Sequence, residues 1–137
     1  MADPAVPDAA PPEVPRWILV GVAGTESSSF YNDDGSLTYV NRARGRHGEI
    51  GPWQMTRRAF LEVRRPGEVF EKMGADIAFA EAMVIRRFQW LQERTKDWDE
   101  AVRAYNAGVS GARRGLGRDY LRDVKRWVRR IEPELLP

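Results

Sequence analysis

The chain contains no cysteine and only one histidine, His47, among its 137 residues. The first absence rules out a disulfide framework and thiolate chemistry. The second leaves no histidine pair with which to build a metal site. No apolar run approaches the roughly eighteen residues that would mark a membrane span. Nor does one sign of charge dominate: 22 Lys and Arg stand against 20 Asp and Glu, a formal net charge of +2. The first fifteen residues have neither a basic start nor an apolar stretch, so they do not form a standard signal peptide. Rich in Pro and Ala, they are expected to form a flexible arm over residues 1–15. Residues 16–137 are then left as one domain, long enough to bury a real core.

What is present is a succession of helical patterns. Arg16 to about Ser27 reads as one helix, apolar on nearly every side. "FYNDDGSLTYV", residues 30–40, reads as a hairpin with its turn at Asn32 to Gly35. It matches a calcium loop only in part, because Phe30 occupies the position where the first carboxylate ligand is required. Pro52 suits the first turn of a short helix running to about Arg64, and "RRPGE" ends it. Ile77, Ala80, Val84, Phe88 and Leu91 repeat at helical spacing and predict a helix over 76–94. Asp97 or Asp99 can cap the next helix, with Gly108 closing it. A final helix is expected from Arg118 to Ile131. The fold class is mainly α with one small β-hairpin excursion.

Glu26 is the first puzzle in this pattern. It follows Trp17, Ile18, Leu19, Val20, Val22 and Ala23, and an ionised carboxylate beside so much apolar surface is costly. The arrangement suits a general acid whose pKa is raised by desolvation. Two further segments carry polar groups of the right kind. "GEIGPWQM", residues 48–55, holds Glu49, Gln54 and Met55, and "AYNAG", residues 104–108, holds Tyr105 and Asn106. Gln54 and Asn106 can each donate and accept hydrogen bonds, while Tyr105 and Trp53 offer flat apolar faces, with a core position equally open to Trp53.

Taken in order, these segments resemble the soluble lytic transglycosylases and the related goose-type lysozymes, which cleave peptidoglycan. The resemblance covers roughly residues 16 to 130. It rests on Glu26-Ser27 closing an apolar helix, on Gly48, Gly51, Gln54 and Met55, on Ala104 to Gly108, and on Tyr120 in the last helix. It implies a lysozyme-like helical domain that needs no metal or organic cofactor. Glu26 is then the catalytic acid/base, and Ser27, Gln54, Met55, Tyr105, Asn106 and Tyr120 face or serve the substrate. The expected partner is the peptidoglycan glycan strand, met by a monomer without nucleic acid. The expected place of action is the bacterial cell wall or periplasm, reached by delivery from a phage or a secretion machine.

The chain departs from the family pattern at three places. Glu49 stands where alanine is common, Pro52-Trp53 replaces Leu-Met, and the 30–40 segment is longer and more acidic than usual. Two outcomes therefore stay open. Glu26 acting alone would leave 1,6-anhydromuramoyl ends. A second carboxylate, from Glu49, Asp33 or Asp34, would activate water and make the protein a muramidase. Glu49 has a plainer reading as a loop carboxylate paired with Arg46 or His47. A different class is also open. Eight bases against two acids between Ala112 and Arg130 could bind nucleic acid, and the same fold could serve as a structural component.

Overall fold

The computed structural model describes residues 11–137. Residues 1–10, most of the expected arm, lie outside the described residues. From residue 11 the chain is already attached to the domain: Val14 is buried, and the Pro12 carbonyl accepts a hydrogen bond from Gln89.

Five helices and one hairpin make up the described fold. Helix α1, Arg16–Ser27, runs through the interior, burying every residue from Trp17 to Gly24. A helix apolar on all sides has no solvent face to offer, so its position at the centre follows from its composition. It stops where Ser28 turns left-handed (φ 57°) and its N–H bonds back to the Gly24 carbonyl. Strands β1, Phe30–Tyr31, and β2, Leu37–Thr38, pair antiparallel, with Phe30 opposite Thr38. The turn between them is held by Asp34, whose carboxylate accepts from the backbone N–H and hydroxyl of Ser36.

Helix α2, Arg57–Val63, starts five residues later than Pro52 suggested. Thr56 supplies the cap, its hydroxyl accepting from the Ala59 N–H. The residues ahead of it instead make a tight turn, with Gly51 at φ 86° and Gln54 at φ 51°, bracketed by an Ile50–Met55 bridge. After a 3₁₀ turn at Phe70–Gly74, α3 covers Ile77–Gln92 and is capped by Asp76. Helix α4, Trp98–Arg113, is capped by Asp97. Gly108 closes the first part of α4, as expected. It breaks the helical path (φ 79°, ψ 161°), and helical turns resume beyond it. Helix α5, Arg118–Ile131, follows a left-handed Gly117.

The helices close around Ile18, Phe60, Met83, Val84, Phe88, Leu91, Val102 and Val124, all buried. α3 packs on α2 and α4, and α5 lies along α1. That last contact is unusually close because α1 presents glycines to it: Gly21 sits against Val124 and Val128, and Gly24 against the Trp127 ring. Among the described residues no helix is long and apolar enough to cross a membrane.

Candidate active site

The last turn of α1 and the loop before α2 open onto a cleft of about 770 Å³. Its walls come from α2, α3 and both halves of the kinked α4. Glu26 lines it, partly buried. Burial pushes its carboxyl up from 4.5 to about 7. The Tyr120 hydroxyl, which donates to Oε2 across 2.8 Å, pulls in the opposite direction by favouring the ionised form. The negative charge of Glu49 adds a smaller upward push. The net result is a carboxyl that shares its time between acid and base near neutrality. A general acid/base needs that property.

Glu49 lines the same cleft, its Oε1 accepting from the His47 backbone N–H at 2.7 Å. It therefore bonds to the loop backbone of His47, and no ion pair with Arg46 forms among the described residues. Gln54 also lines the cleft. Its backbone is left-handed, and Nε2 donates to the Gly51 carbonyl at 3.1 Å. Met55 contributes a buried piece of wall. Tyr105 also lines the cleft. Its ring stacks on Phe88 at 4.8 Å between centroids, and its hydroxyl donates to the Trp53 carbonyl at 2.5 Å. Asn106 is exposed on the wall, just ahead of the Gly108 break.

Two expectations need correction, those for Ser27 and Asp34, and the open reading of Trp53 is resolved. Ser27 does not face the cleft. It is buried at 2 % exposure, and its hydroxyl contacts the Ala23 carbonyl, the Pro52 carbonyl (2.7 Å) and Ser29 Oγ (2.6 Å). Its role is to tie the end of α1 to the glycine loop. Trp53 is core as well, with Nε1 donating to the Leu19 carbonyl at 3.0 Å, so its ring has no free face. Asp34 sits outside the cleft on the exposed hairpin turn, where its bonds to Ser36 hold its carboxyl below the usual range. Tyr120 stands where the resemblance implies, beside the Glu26 carboxylate, and it meets the cleft through that bond without lining the wall itself.

The structure also brings in residues that sequence reasoning missed. Arg58 and Glu62 from α2, Arg87 and Trp90 from α3, and Arg114 after α4 all line the cleft. Arg87 pairs with Glu62 at 3.2 Å and lies over the Trp90 ring at 4.3 Å. Nothing in their spacing separates these side chains from an ordinary solvated helix face. Only the approach of α2, α3 and α4 makes them one surface. Among the described residues no group of three or more His, Asp or Glu gathers as a metal site would require.

Comparisons with protein-family models, with curated proteins and with solved structures give no match.

Proposed function

We propose that this protein cleaves the β-1,4 bond between N-acetylmuramic acid and N-acetylglucosamine in peptidoglycan, on a lysozyme-like helical domain, with Glu26 as the catalytic acid/base. The observation that carries this reading is Glu26 itself. Its carboxyl is raised to about 7 by burial, hydrogen-bonded by Tyr120, and exposed to a cleft large enough for a saccharide chain. The motif resemblance supplies the substrate, and the geometry supplies a workable proton path.

In this reading protonated Glu26 donates to the bridging oxygen as the bond to the anomeric carbon breaks. The substrate's own N-acetyl group meets the positive charge that develops there, which removes the need for a second carboxylate. Glu26, now ionised and steadied by the Tyr120 hydroxyl, takes the proton from the C6 hydroxyl of the muramoyl sugar. The C6 oxygen closes on the anomeric carbon and leaves a 1,6-anhydro end. Asn106 and Gln54 supply hydrogen bonds to sugar substituents.

One observation keeps a hydrolytic variant in play. Glu49 is in the cleft and close enough to Glu26 to raise its pKa, so Glu49 is the candidate to activate water if the products carry reducing ends. A nucleic-acid role is less well supported. On α5, Arg122 pairs with Asp119 and Asp123, Arg126 with Asp123, and Lys125 with Asp99, so part of that charge is already neutralised.

The experiment is digestion of purified peptidoglycan by the wild type and by Glu26→Gln. The amide keeps the shape of the side chain but has no proton to deliver, so soluble fragments are expected from the wild type alone. Equal release by both proteins contradicts the assignment.

A further inference from the structure

The loop that carries Glu49 and Gln54 into the cleft holds Gly45, Gly48 and Gly51, which are glycine for different reasons. Gly48 and Gly51 have left-handed backbones (φ 83° and 86°), which favour a residue without a side chain. Gly45 has no positive φ, so its backbone makes no such demand. What it meets instead is side chains. A methyl group on its Cα would overlap Oε2 of Glu49 and stand 2.8 Å from Oε1 of Gln54, too close for carbon against oxygen.

Neither neighbour is loose. The Gly45 N–H donates to the Glu49 carbonyl at 2.9 Å and the Gly48 N–H to the Gly45 carbonyl at 3.0 Å, which closes the loop on itself. The His47 backbone N–H holds Oε1 of Glu49 at 2.7 Å, leaving Oε2 against Gly45. Gln54 is tied through Nε2 to the Gly51 carbonyl, so it yields no room for the carboxylate to slide. The titratable groups acting on Glu26 are Tyr120 from α5, Tyr105 from α4 and Glu49 from the loop. Burial raises both tyrosines well above their ordinary 10, so they are neutral near pH 7. His47, Arg58, Glu62, Arg87 and Arg114 line the same cleft, and none is a cause of the Glu26 shift. Glu49 is the one charge left to act on it among the described residues.

We infer that Gly45 is a positioning residue: its bare Cα is the seat of the Glu49 carboxylate, and that seat sets how strongly Glu49 acts on the proton of Glu26. The inference rests on the acid/base reading of Glu26 for its catalytic meaning. Its test reads the carboxyl directly, without substrate.

The test follows the Glu26 carboxyl by NMR in protein made with isotope-labelled glutamate as pH is varied, with Glu26→Gln assigning the signal. The proteins compared are the wild type, Gly45→Ala, Glu49→Gln and the double variant Gly45→Ala/Glu49→Gln. Alanine suits the backbone at position 45, and the atoms it crowds are the ends of flexible side chains, so the variants fold. Gly45→Ala is expected to displace the Glu49 carboxylate toward water. The Glu26 midpoint then falls by about half a pH unit, the order expected of one like charge acting through a water-filled cleft. In the Glu49→Gln background the side chain keeps its shape without its charge, so the same substitution should leave the midpoint where it was. A midpoint that does not fall in the presence of Glu49, or that falls equally in its absence, overturns the inference. Failure of the wild type to digest peptidoglycan would remove the substrate proposed above and leave this result standing.

Discussion

The Tyr120 hydroxyl donates to Oε2 of Glu26 across 2.8 Å, joining the last helix to the end of the first. These residues stand 94 positions apart in the chain, and their meeting depends on how closely α5 approaches α1. The bond also sets a balance. Burial alone favours the neutral acid, while the hydroxyl favours the carboxylate, and the outcome is a group poised near pH 7.

Activity should therefore fall on the alkaline side as Glu26 ionises, with a limb near pH 7 in kcat/KM. Tyr120→Phe removes the interaction that lowers the pKa, so the limb should move to higher pH. Glu49→Gln removes a like charge that raises it, so the limb should move to lower pH. Parallel rate profiles of the three proteins check this. Shifts in the same direction would contradict the assigned causes.

The same carboxyl makes stability depend on pH. Its folded pKa of about 7 exceeds the ordinary Glu value of 4.5 that it takes in the unfolded chain, so the folded state holds the extra proton between them. Stability is greatest below the lower value and declines as pH rises through the upper one. The loss should be about 2 to 3 kcal/mol, allowing for screening in the open cleft. Denaturant titrations of the wild type and Glu26→Gln across that range measure the contribution, and the slope assigned to Glu26 should be missing from the variant.

Ser27 and Asn106 should respond in opposite ways. Ser27→Ala removes a buried donor from the Pro52 carbonyl and should cost about 1–3 kcal/mol of stability. Asn106→Ala, at an exposed position on the cleft wall, should change stability by no more than about 0.5 kcal/mol. Its turnover should fall by about tenfold or more through lost hydrogen bonds to substrate. Thermal melts alongside activity per folded molecule distinguish the two.

Gly24 is the third position where structure and chemistry meet. A methyl group there would run into the Trp127 ring, which is too bulky to step aside cheaply. Gly24→Ala should cost about 1–3 kcal/mol through overpacking and push α5 away from α1. The surviving folded protein should show an alkaline limb displaced toward that of Tyr120→Phe. A destabilised protein with the wild-type profile would show that the Glu26–Tyr120 bond does not depend on this contact.

The helices were legible because each carries its own local signal. Ile77 to Leu91 repeat at helical spacing, Asp97 stands at a cap, and Trp17 to Ala23 form an unbroken apolar run. The start of α2 was misread because Pro52 is as acceptable in a turn as at a helix start, and Thr56 is the better cap. Gly108 is legible as a helix end through its left-handed preference, whereas the return to helical turns beyond it carries no such signal. Within the site, Glu26, Gln54 and Asn106 could be picked out by residue type and motif. Ser27 and Trp53 could not be sorted, because a hydroxyl or indole looks the same whether it meets a sugar or a backbone carbonyl. Arg58, Arg87 and Arg114 carry no local mark at all. Their common surface is a product of tertiary packing.

The central claim is that Glu26 acts as the catalytic acid/base in glycan cleavage, and the mass spectrum of the digestion products tests it most directly. Purified peptidoglycan treated with the wild type should yield muropeptides ending in 1,6-anhydromuramic acid. Glu26→Gln should yield none, and Glu49→Gln should still yield them. Reducing-end products that vanish in Glu49→Gln would assign water activation to Glu49 and make the protein a muramidase. Undigested peptidoglycan with the wild type, or full digestion by a folded Glu26→Gln, would contradict the account.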